Sequence, residues 1–300
     1  MTKLLAIPND ITNIDELIKI GMDGFILGVK EFSVFINLQL TMEQLKPIIT
    51  KIKSNGKKVF IAINKVIYNQ DIPLLKEYLL ILDNLDINGI MYDDISIVNL
   101  SRKLKIKTPL GWMSEHLATN YHTCNYWRKQ GIKYAVLANE ITLDSILNIR
   151  NHTKIPLMIR GYGYLPMSQS SRSLISNYFT YVNKSLKNSF FHMYEKERKV
   201  LYPIYEDENG TYILSSHILN LIDELPILVA QDIDYIILDS LAIEQENFVK
   251  VCQCYKEALL NLDNKELLKK LNKDVEQYSN YKNDKGFLYK KTIYRVKHYE

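Results

Sequence analysis

Polar side chains follow the short apolar runs of this 300-residue sequence, at the positions where strands of an alternating strand–helix fold place their chemistry. They are Asn9 and Asp10, Lys30 and Glu31, Asn64, Asp93 and Asp94, Ser114, Glu115 and His116, Asn139 and Glu140, Arg160 with Tyr162, and Asp239. Because this set is rich in carboxylates and amides and holds two cations, it predicts a site for a polar, anionic or sugar-like ligand. The same residue types also cap helices, and capping alone would account for Asp10, Asn64 and Asp93.

Metal binding and nucleophilic catalysis are poorly supported. None of the six histidines is paired at i, i+4 with a third ligand nearby, and the sequence has no HExxH motif and no cysteine cluster. His116 follows a predicted strand and is the strongest of the histidines, although a hydrogen-bonded structural role is favoured for it. There is no GxSxG elbow. The three cysteines have no catalytic context, and their odd number argues against a disulfide framework.

Residues 160–179, RGYGYLPMSQSSRSLISNYF, are the most informative segment. They follow an apolar run at residues 155–159 and contain two glycines, five serines and two arginines. Loops after strands carry function in such folds, so we predict an irregular region from here to about residue 201. Arg160 and Arg172 suit phosphate or carboxylate geometry, and they are predicted to contribute to an anionic-ligand or RNA-facing site at the mouth, where the strands of the fold end. A structural role for Arg172, pinning its own loop, is the alternative.

Eight apolar runs alternate with helical patterns. The predicted strands are residues 4–7, 24–27, 59–63, 89–92, 110–113, 134–137, 155–159 and 235–238, and a hairpin is predicted around Glu208-Asn209-Gly210. Helices are predicted between them, including residues 219–230 and 246–260. The count and the alternation favour an α/β fold of the (β/α)8 TIM-barrel-like class over residues 1–262. No GxGxxG follows the first strand, which counts against a dinucleotide-binding fold.

The remaining residues, 263–300, form a basic and aromatic C-terminal extension. The net charge of the chain is +4. Residues 265–300 hold ten Lys or Arg against five Asp or Glu, so the first 264 residues net −1. Basic residues interleaved with tyrosines suit phosphate backbones and exposed bases, and a solvated helix is the alternative. We predict a helix followed by a strand at residues 287–296, which either contacts RNA or a partner or packs inward.

Several motifs, in order along nearly the whole chain, resemble the U32 peptidase family of collagenase-like proteases. DGFILGVKEFS at residues 23–33 is similar to that family's DAVYLGGKEFS element, and SSRSLISNYF at residues 170–179 is similar to its SGRCLLSNYL signature. Further similar segments are GKKVFIAIN at 56–64, WMSEHLATN at 112–120, YILSSHILNLIDELPILVAQDIDYIILD at 212–239 and GFLYKKTIYRV at 286–296.

The resemblance implies both a chemistry and a departure from it. Relatives in this family act in hydroxylation of RNA or ubiquinone, and several hold a [4Fe–4S] cluster with four cysteines. The corresponding positions here are Pro166, Ser173, Met193 and Glu197. A thiolate cluster needs Cys ligands, so we expect no cofactor in this chain. It resembles the short cysteine-less members that act with longer, cysteine-bearing paralogues in forming 5-hydroxyuridine at the tRNA wobble position.

Three functions stay open: a cluster-less subunit for tRNA uridine hydroxylation, a collagenase-like peptidase (a hydrolase), and a non-enzymatic RNA-binding scaffold. The expected partners are tRNA and a longer cysteine-bearing U32 paralogue, with a homo-oligomer as a further alternative and no membrane. The absence of a long apolar run or leader pattern predicts a cytoplasmic location. No catalytic residue is assigned. The candidate ligand- or RNA-binding residues are Lys30, Asn64, Ser114, His116, Glu140, Arg160, Arg172, Tyr178 and Asp239.

Overall fold

Eight parallel strands close into a barrel in the computed structural model, which describes residues 1–186, 190–197, 199–279 and 281–290. The strands are β1 (Lys3–Ile7), β2 (Gly24–Val29), β3 (Gln39–Leu40), β4 (Lys58–Ile63), β5 (Gly89–Tyr92), β6 (Leu110–Met113), β7 (Tyr134–Val136), β8 (Leu157–Ser170), β9 (Phe190–Glu195), β10 (Val200–Asp207), β11 (Gly210–Asn220), β12 (Tyr235–Asp239) and β13 (Asn283–Asp284). The barrel order is β12-β1-β2-β4-β5-β6-β7-β8, and pairing of β12 with β8 closes it. The predicted (β/α)8 TIM-barrel-like fold is therefore confirmed.

Helices alternate with these strands and cover the barrel. They are α1 (Ile14–Ile20), α2 (Met42–Ser54), α3 (Ile72–Asp83), α4 (Ser96–Leu104), α5 (Tyr121–Lys129), α6 (Leu143–His152), α7 (Leu174–Tyr181), α8 (Leu225–Ala230), α9 (Gln245–Leu260) and α10 (Lys265–Ser279). Side-chain oxygens fix several of their starts. Asn120 accepts a hydrogen bond from the Thr123 amide at 3.0 Å before α5, which satisfies a backbone donor that the helix itself leaves open.

Two apolar layers hold the barrel together. One fills the interior, where Leu5, Phe60, Met91 and Met158 point inward from different strands. The other lies between the strands and the surrounding helices and includes Phe25, Leu79 and many aliphatic side chains. Because strand residues alternate between the two layers, both faces of each strand are buried. This explains why the strands read as continuous apolar runs in the sequence.

The prediction of an irregular region at residues 160–201 was wrong. Strand β8 continues past the barrel to Ser170 and pairs antiparallel with β11, which in turn pairs with β10 and then β9. Helix α7 lies within this excursion. We call β8 beyond the barrel, α7 and β9 to β11 the antiparallel extension. Strand β8 is buried on both faces as far as Pro166, including Tyr162 and Tyr164, and it becomes exposed at residues 167–169.

Two other sequence predictions fall near this extension, and one of them needs correction. The helix predicted at residues 219–230 is a strand as far as Asn220, then a 3-10 turn at Ile222–Glu224, and only then α8. The hairpin around Asn209 is confirmed by the pairing of Asp207 with Gly210. Pro226 suits the first turn of α8, because backbone N–H groups in a first turn have no hydrogen-bond partner within the helix and proline lacks this group.

Residues after the last barrel strand pack on the barrel. Leu268, Leu271 and Val275 of α10 lie on one helical face and join the main apolar core, where α10 contacts α9. The short strand β13 pairs with β11, and the Leu143 amide donates to the Leu288 carbonyl at 2.9 Å. No strand forms at residues 287–290, and the rest of the strand predicted at residues 287–296 lies outside the described residues. In the part of the chain that is described, no helix is long and apolar enough to cross a membrane.

Candidate functional site at the barrel mouth

A buried arginine occupies the carboxyl end of the barrel, which we call the mouth. Arg160 on β8 uses one amino nitrogen for Asp239, the last residue of β12, and the other for Glu115, which follows β6. The distance from Nη2 to Glu115 Oε1 is 2.9 Å. Arg160 and Asp239 are almost fully buried. The closing pair of strands is therefore joined by an ion pair as well as by backbone hydrogen bonds.

The cluster pairs one cation with two carboxylates of the same chain. Burial alone would lower the pKa of Arg160, but the charges of Glu115 and Asp239 raise it, so the guanidinium stays protonated. Burial raises the pKa of Asp239, and Arg160 opposes that shift. Asn139 also donates to the second oxygen of Glu115 at 2.8 Å. Both amino nitrogens of Arg160 are bound to carboxylates of the same chain. Arg160 therefore partly neutralises these acids.

A small cavity of about 100 Å³ lies next to this cluster, and we call it the mouth pocket. Its polar lining residues are Asn64, Asp93, Ser114, Glu115, His116, Ser168 and Gln169. Its apolar lining residues are Val34, Phe35, Met113 and Pro166. The volume is below the range of about 300–1,000 Å³ typical of drug-sized ligand pockets. The pocket is therefore suited to a small planar or polar group.

Asp93 is the titratable group most affected by this pocket. Burial raises its pKa, and the nearby charges of Glu115 and Asp94 add to the shift. A hydrogen bond from Ser114 and the proximity of His116 oppose it. Because burial and the neighbouring carboxylates both raise its pKa, Asp93 is the strongest candidate in this pocket for hydrogen bonding to a polar ligand or for proton transfer.

Other predicted residues of the mouth already have partners. Asn64 donates to the Val34 carbonyl at 2.9 Å and accepts from the Val34 amide at 3.0 Å, so its side chain fixes the loop that carries Phe35. His116 and Glu140 are both half-exposed, with Nδ1 and Oε1 3.6 Å apart. Lys30 lies on the rim, where its ammonium is 3.8 Å from Glu208 in the turn between β10 and β11. The rim of the barrel thus touches the antiparallel extension.

Arg172 and Tyr178 lie on the extension. The Arg172 side chain is exposed and forms no hydrogen bond or ion pair with the described residues, whereas its carbonyl accepts from Thr211 Oγ1 at 2.8 Å. Tyr178 is exposed on α7. The structure therefore brings Asn64, Ser114, His116, Glu140, Arg160 and Asp239 to the mouth, places Lys30 on its rim and puts Arg172 and Tyr178 beyond it.

Sequence reasoning missed several residues that line the mouth pocket, among them Phe35 and Gln169. Phe35 lies in the long connection after β2, where its backbone has a left-handed φ of 57° and its ring packs 4.9 Å from that of Tyr212. Gln169 lies on the part of β8 that was predicted to be irregular. The run MSQS has no apolar–polar alternation, so no local signal in the sequence places Gln169 on the rim.

The four positions expected for cluster ligands lie on the extension. Pro166 is on β8, Ser173 directly precedes α7, Met193 is on β9 and Glu197 follows it. Strands β11 and β10 separate β8 from β9, which sets Pro166 and Met193 apart by three strand spacings, roughly 14 Å. Proline offers no side-chain donor, and the set as a whole does not fit a [4Fe–4S] cluster. Within the described ranges, no three His, Cys, Asp or Glu side chains are grouped to hold a metal ion.

The chain is not free of cysteine, but its three thiols lie elsewhere. Cys124, Cys252 and Cys254 are all buried and unpaired with one another. Burial raises the pKa of Cys124 and of Cys254 to about 11, and it also raises the pKa of Cys252. Since the thiolate is the form that binds metal or attacks an electrophile, these residues serve as core side chains.

Comparison with known proteins identifies the family. The model of peptidase family U32 matches residues 9–297. The chain belongs to peptidase family U32. This confirms the resemblance carried by the motifs, including the SSRSLISNYF segment that forms the end of β8 and most of α7.

Individual relatives in the U32 family carry two kinds of name. The chain is 32% identical to tRNA hydroxylation protein P2 of Bacillus subtilis, over 97% of this chain and 99% of that protein. It is 20% identical to tRNA hydroxylation protein P1 of the same organism, over 77% of this chain and 57% of that longer protein. A Methanocaldococcus jannaschii protein named as an uncharacterized protease is 24% identical over 97% of this chain and 74% of its own length.

Proposed function

We propose that this U32 protein is a subunit for tRNA hydroxylation, forming 5-hydroxyuridine at the wobble position. The observation that carries the proposal is the similarity to tRNA hydroxylation protein P2, which extends over 97% of this chain and 99% of that protein. An end-to-end match at this identity supports a shared role more strongly than a shared fold alone. The proposed site of action is the mouth, and the proposed location is the cytoplasm, where tRNA is modified.

The proposed subunit does not hold a [4Fe–4S] cluster of its own. The motive is the donor set at Pro166, Ser173, Met193 and Glu197, which lacks thiolates altogether. The proposed partner is a longer, cysteine-bearing U32 paralogue. Two Bacillus subtilis relatives of this chain support this partner. Protein P2 matches this chain in length, whereas protein P1 is longer, and this chain spans 57% of it. Any iron chemistry would then be supplied by the partner, while this chain binds and positions the tRNA.

The size and charge of the mouth suit a single base better than a phosphate or a peptide. The mouth pocket has a volume of about 100 Å³, with the Phe35 and Met113 side chains as apolar walls and Asp93 and Ser114 as polar groups. A uracil ring presents an N–H donor that a carboxylate accepts and carbonyl oxygens that a hydroxyl donates to. Because Glu115 and Asp239 share one guanidinium, a phosphate would meet an excess of negative charge at this point.

A peptidase function is the second candidate, and the relative named as a protease favours it. The site gives it little support. Among the described residues, no imidazole forms a hydrogen bond with Ser114, and the neighbour of His116 is Glu140. A serine hydrolase needs its nucleophile and base within hydrogen-bond reach. A non-enzymatic RNA-binding scaffold is the third candidate, and it shares the tRNA contact with the first.

A deletion experiment tests the proposal. Total tRNA from the source organism with and without this gene is digested to nucleosides, and 5-hydroxyuridine is quantified by mass spectrometry. The proposal expects the modified nucleoside to fall on deletion and to return when the gene is supplied on a plasmid. Gelatin cleavage by the purified protein is measured in parallel. Unchanged 5-hydroxyuridine together with cleavage that depends on Ser114 would favour the peptidase instead.

A further inference from the structure

Helix α7 has two apolar faces, and the contacts among the described residues involve one of them. Ile175 is buried against the extension, and the Phe179 ring lies 5.1 Å from that of Phe191 on β9. Leu174, Tyr178 and Tyr181 recur at i, i+4 and i+7 and form a second stripe about 100° away around the helix. These three side chains are 47%, 60% and 86% exposed. Because large apolar side chains in line on one helix face are usually covered, this stripe is a candidate binding surface.

The helix that carries this stripe is held firmly in place. The Glu206 carboxylate on β10 accepts hydrogen bonds from the Ile175 amide at 2.8 Å and the Ser176 amide at 3.3 Å. The Thr211 hydroxyl accepts from the Leu174 amide at 2.9 Å. The backbone donors at the start of α7 are therefore already occupied. A phosphate bound near α7 must consequently be contacted by side chains.

Two exposed cations flank the stripe. Arg172 precedes α7 and Lys184 follows it, both are exposed, and neither forms an ion pair with the described residues. The helix itself contains no acidic residue. In sequence, residues 172–199 hold six Lys or Arg against two Glu. This excess of positive charge favours a polyanion as the ligand of the stripe. A protein surface poor in acidic residues would complement it less well.

The stripe is connected to the mouth pocket along one short stretch of chain. Ser168 and Gln169 line the pocket, Ser171 Oγ is 3.3 Å from Tyr68 Oη on the rim, and Arg172 comes next. At about 3.3 Å per residue, Gln169 and Arg172 are roughly 10 Å apart. One or two nucleotides would cover that distance. A strand of RNA with one base in the pocket would thus place neighbouring nucleotides over α7.

We infer that Tyr178 and Tyr181 stack on unpaired bases of the tRNA and that Arg172 and Lys184 contact its phosphates. The inference rests on the proposed function for the choice of RNA and names the surface that binds it. Base stacking on exposed aromatic rings tolerates any sequence, whereas the phosphate contacts make binding sensitive to salt. In this arrangement the mouth pocket recognises the target base, and α7 contributes affinity for the RNA without regard to its sequence.

Fluorescence anisotropy with the full chain and a labelled anticodon stem-loop RNA tests this inference. Tyr178→Ala/Tyr181→Ala is expected to raise Kd by about tenfold or more, and the matching Phe variant, which keeps both rings, is expected to retain affinity. Tyr126→Ala on α5 is the matched control, because Tyr126 is also exposed and also meets a neighbouring aromatic ring edge-on. Arg172→Ala/Lys184→Ala should flatten the salt dependence by about 0.7 per lost phosphate contact. Circular dichroism confirms folding of each variant.

The outcomes separate this surface from other occupants and from the proposed function. Unchanged RNA affinity in the Tyr178→Ala/Tyr181→Ala variant overturns the inference. The same variant failing to co-elute with the longer U32 paralogue while keeping its RNA affinity also overturns it, because the stripe is then a protein interface. If deletion of the gene leaves cellular 5-hydroxyuridine intact but the variant still loses RNA affinity, the proposed function fails and the RNA surface stands.

Discussion

Arg160 and Asp239 form an ion pair across the seam where β8 and β12 close the barrel, and both side chains are almost fully buried. In the strands that carry them, Ile237 pairs with Arg160, and the register then shifts so that Leu238 pairs with Tyr162. A charged pair of this kind costs desolvation, so its net benefit to folding is small, but loss of one partner leaves the other charge buried and unpaired. The pair therefore makes closure of the barrel sensitive to single substitutions at this point.

Replacing Arg160 should strongly destabilise the protein. Arg160→Gln leaves Asp239 and Glu115 without their cation, and the expected loss in the free energy of unfolding is about 3–5 kcal/mol. Urea denaturation followed by circular dichroism measures it. The control is Lys51→Gln, which breaks an exposed pair with Asp15 and should cost no more than about 1 kcal/mol. In a double-mutant cycle with Asp239→Asn, strictly additive losses would contradict a direct interaction.

Gly163 should tolerate no side chain, because it lies against the backbone of Asp239. Its φ is +121°, and an added Cβ would be 2.7 Å from the Asp239 carbonyl oxygen. Gly163→Ala combines a strained conformation with a clash that displaces Asp239 from Arg160. Gly56→Ala is the control, since Gly56 also has a positive φ of +70° but nothing lies within 4 Å of its added Cβ. The control should cost about 1–2 kcal/mol, and Gly163→Ala should cost clearly more. Equal losses would show that the close approach is unimportant.

Glu206 should make the extension less stable in acid. Burial alone would raise the pKa of Glu206, but hydrogen bonds from Ser176, Ile175 and Thr211 outweigh it and lower the pKa below the ordinary value of 4.5. A lowered pKa in the folded state means that the stabilisation is present above pH 4.5 and is lost as pH falls through the folded value. The difference in unfolding free energy between wild type and Glu206→Gln should thus shrink in acid. A difference that is the same at neutral and acidic pH would contradict this.

Protein purified without oxygen should contain no iron–sulfur chromophore. The expectation follows from Pro166, Ser173, Met193 and Glu197 at the positions of the family's ligands, and from the raised thiol pKa values of the three buried cysteines. Iron and acid-labile sulfide are determined together with the visible absorption spectrum. Stoichiometric iron and sulfide with a brown chromophore would show that other ligands hold the cluster.

The barrel could be predicted from the sequence because each of its strands is buried on both faces. Runs such as residues 59–63 are therefore continuously apolar, and local patterns place them within a few residues of their observed bounds. The extension of β8 could not be predicted, because its pairing partner β11 lies about forty residues later. A segment with glycines, a proline and serines becomes a strand only when that distant partner is present.

Several polar residues of the mouth were identified from the sequence, but their interactions were not. Arg160 was predicted to face an anionic ligand, since it ends a strand of the barrel. Its partners Asp239 and Glu115 lie 79 and 45 residues away, and no local pattern reveals that they reach it. Arg172 and Tyr178 were grouped with the mouth because the sequence motif joins them, whereas the structure places them on the extension.

The most direct test of the central claim is the 5-hydroxyuridine content of wobble positions in tRNA isolated from a strain that lacks this gene and carries it on an inducible plasmid. The account predicts that the modification is low before induction and rises as the protein accumulates, with unmodified uridine falling by the same amount. Equal 5-hydroxyuridine before and after induction, with folded protein present, would contradict the assignment of this chain to tRNA hydroxylation.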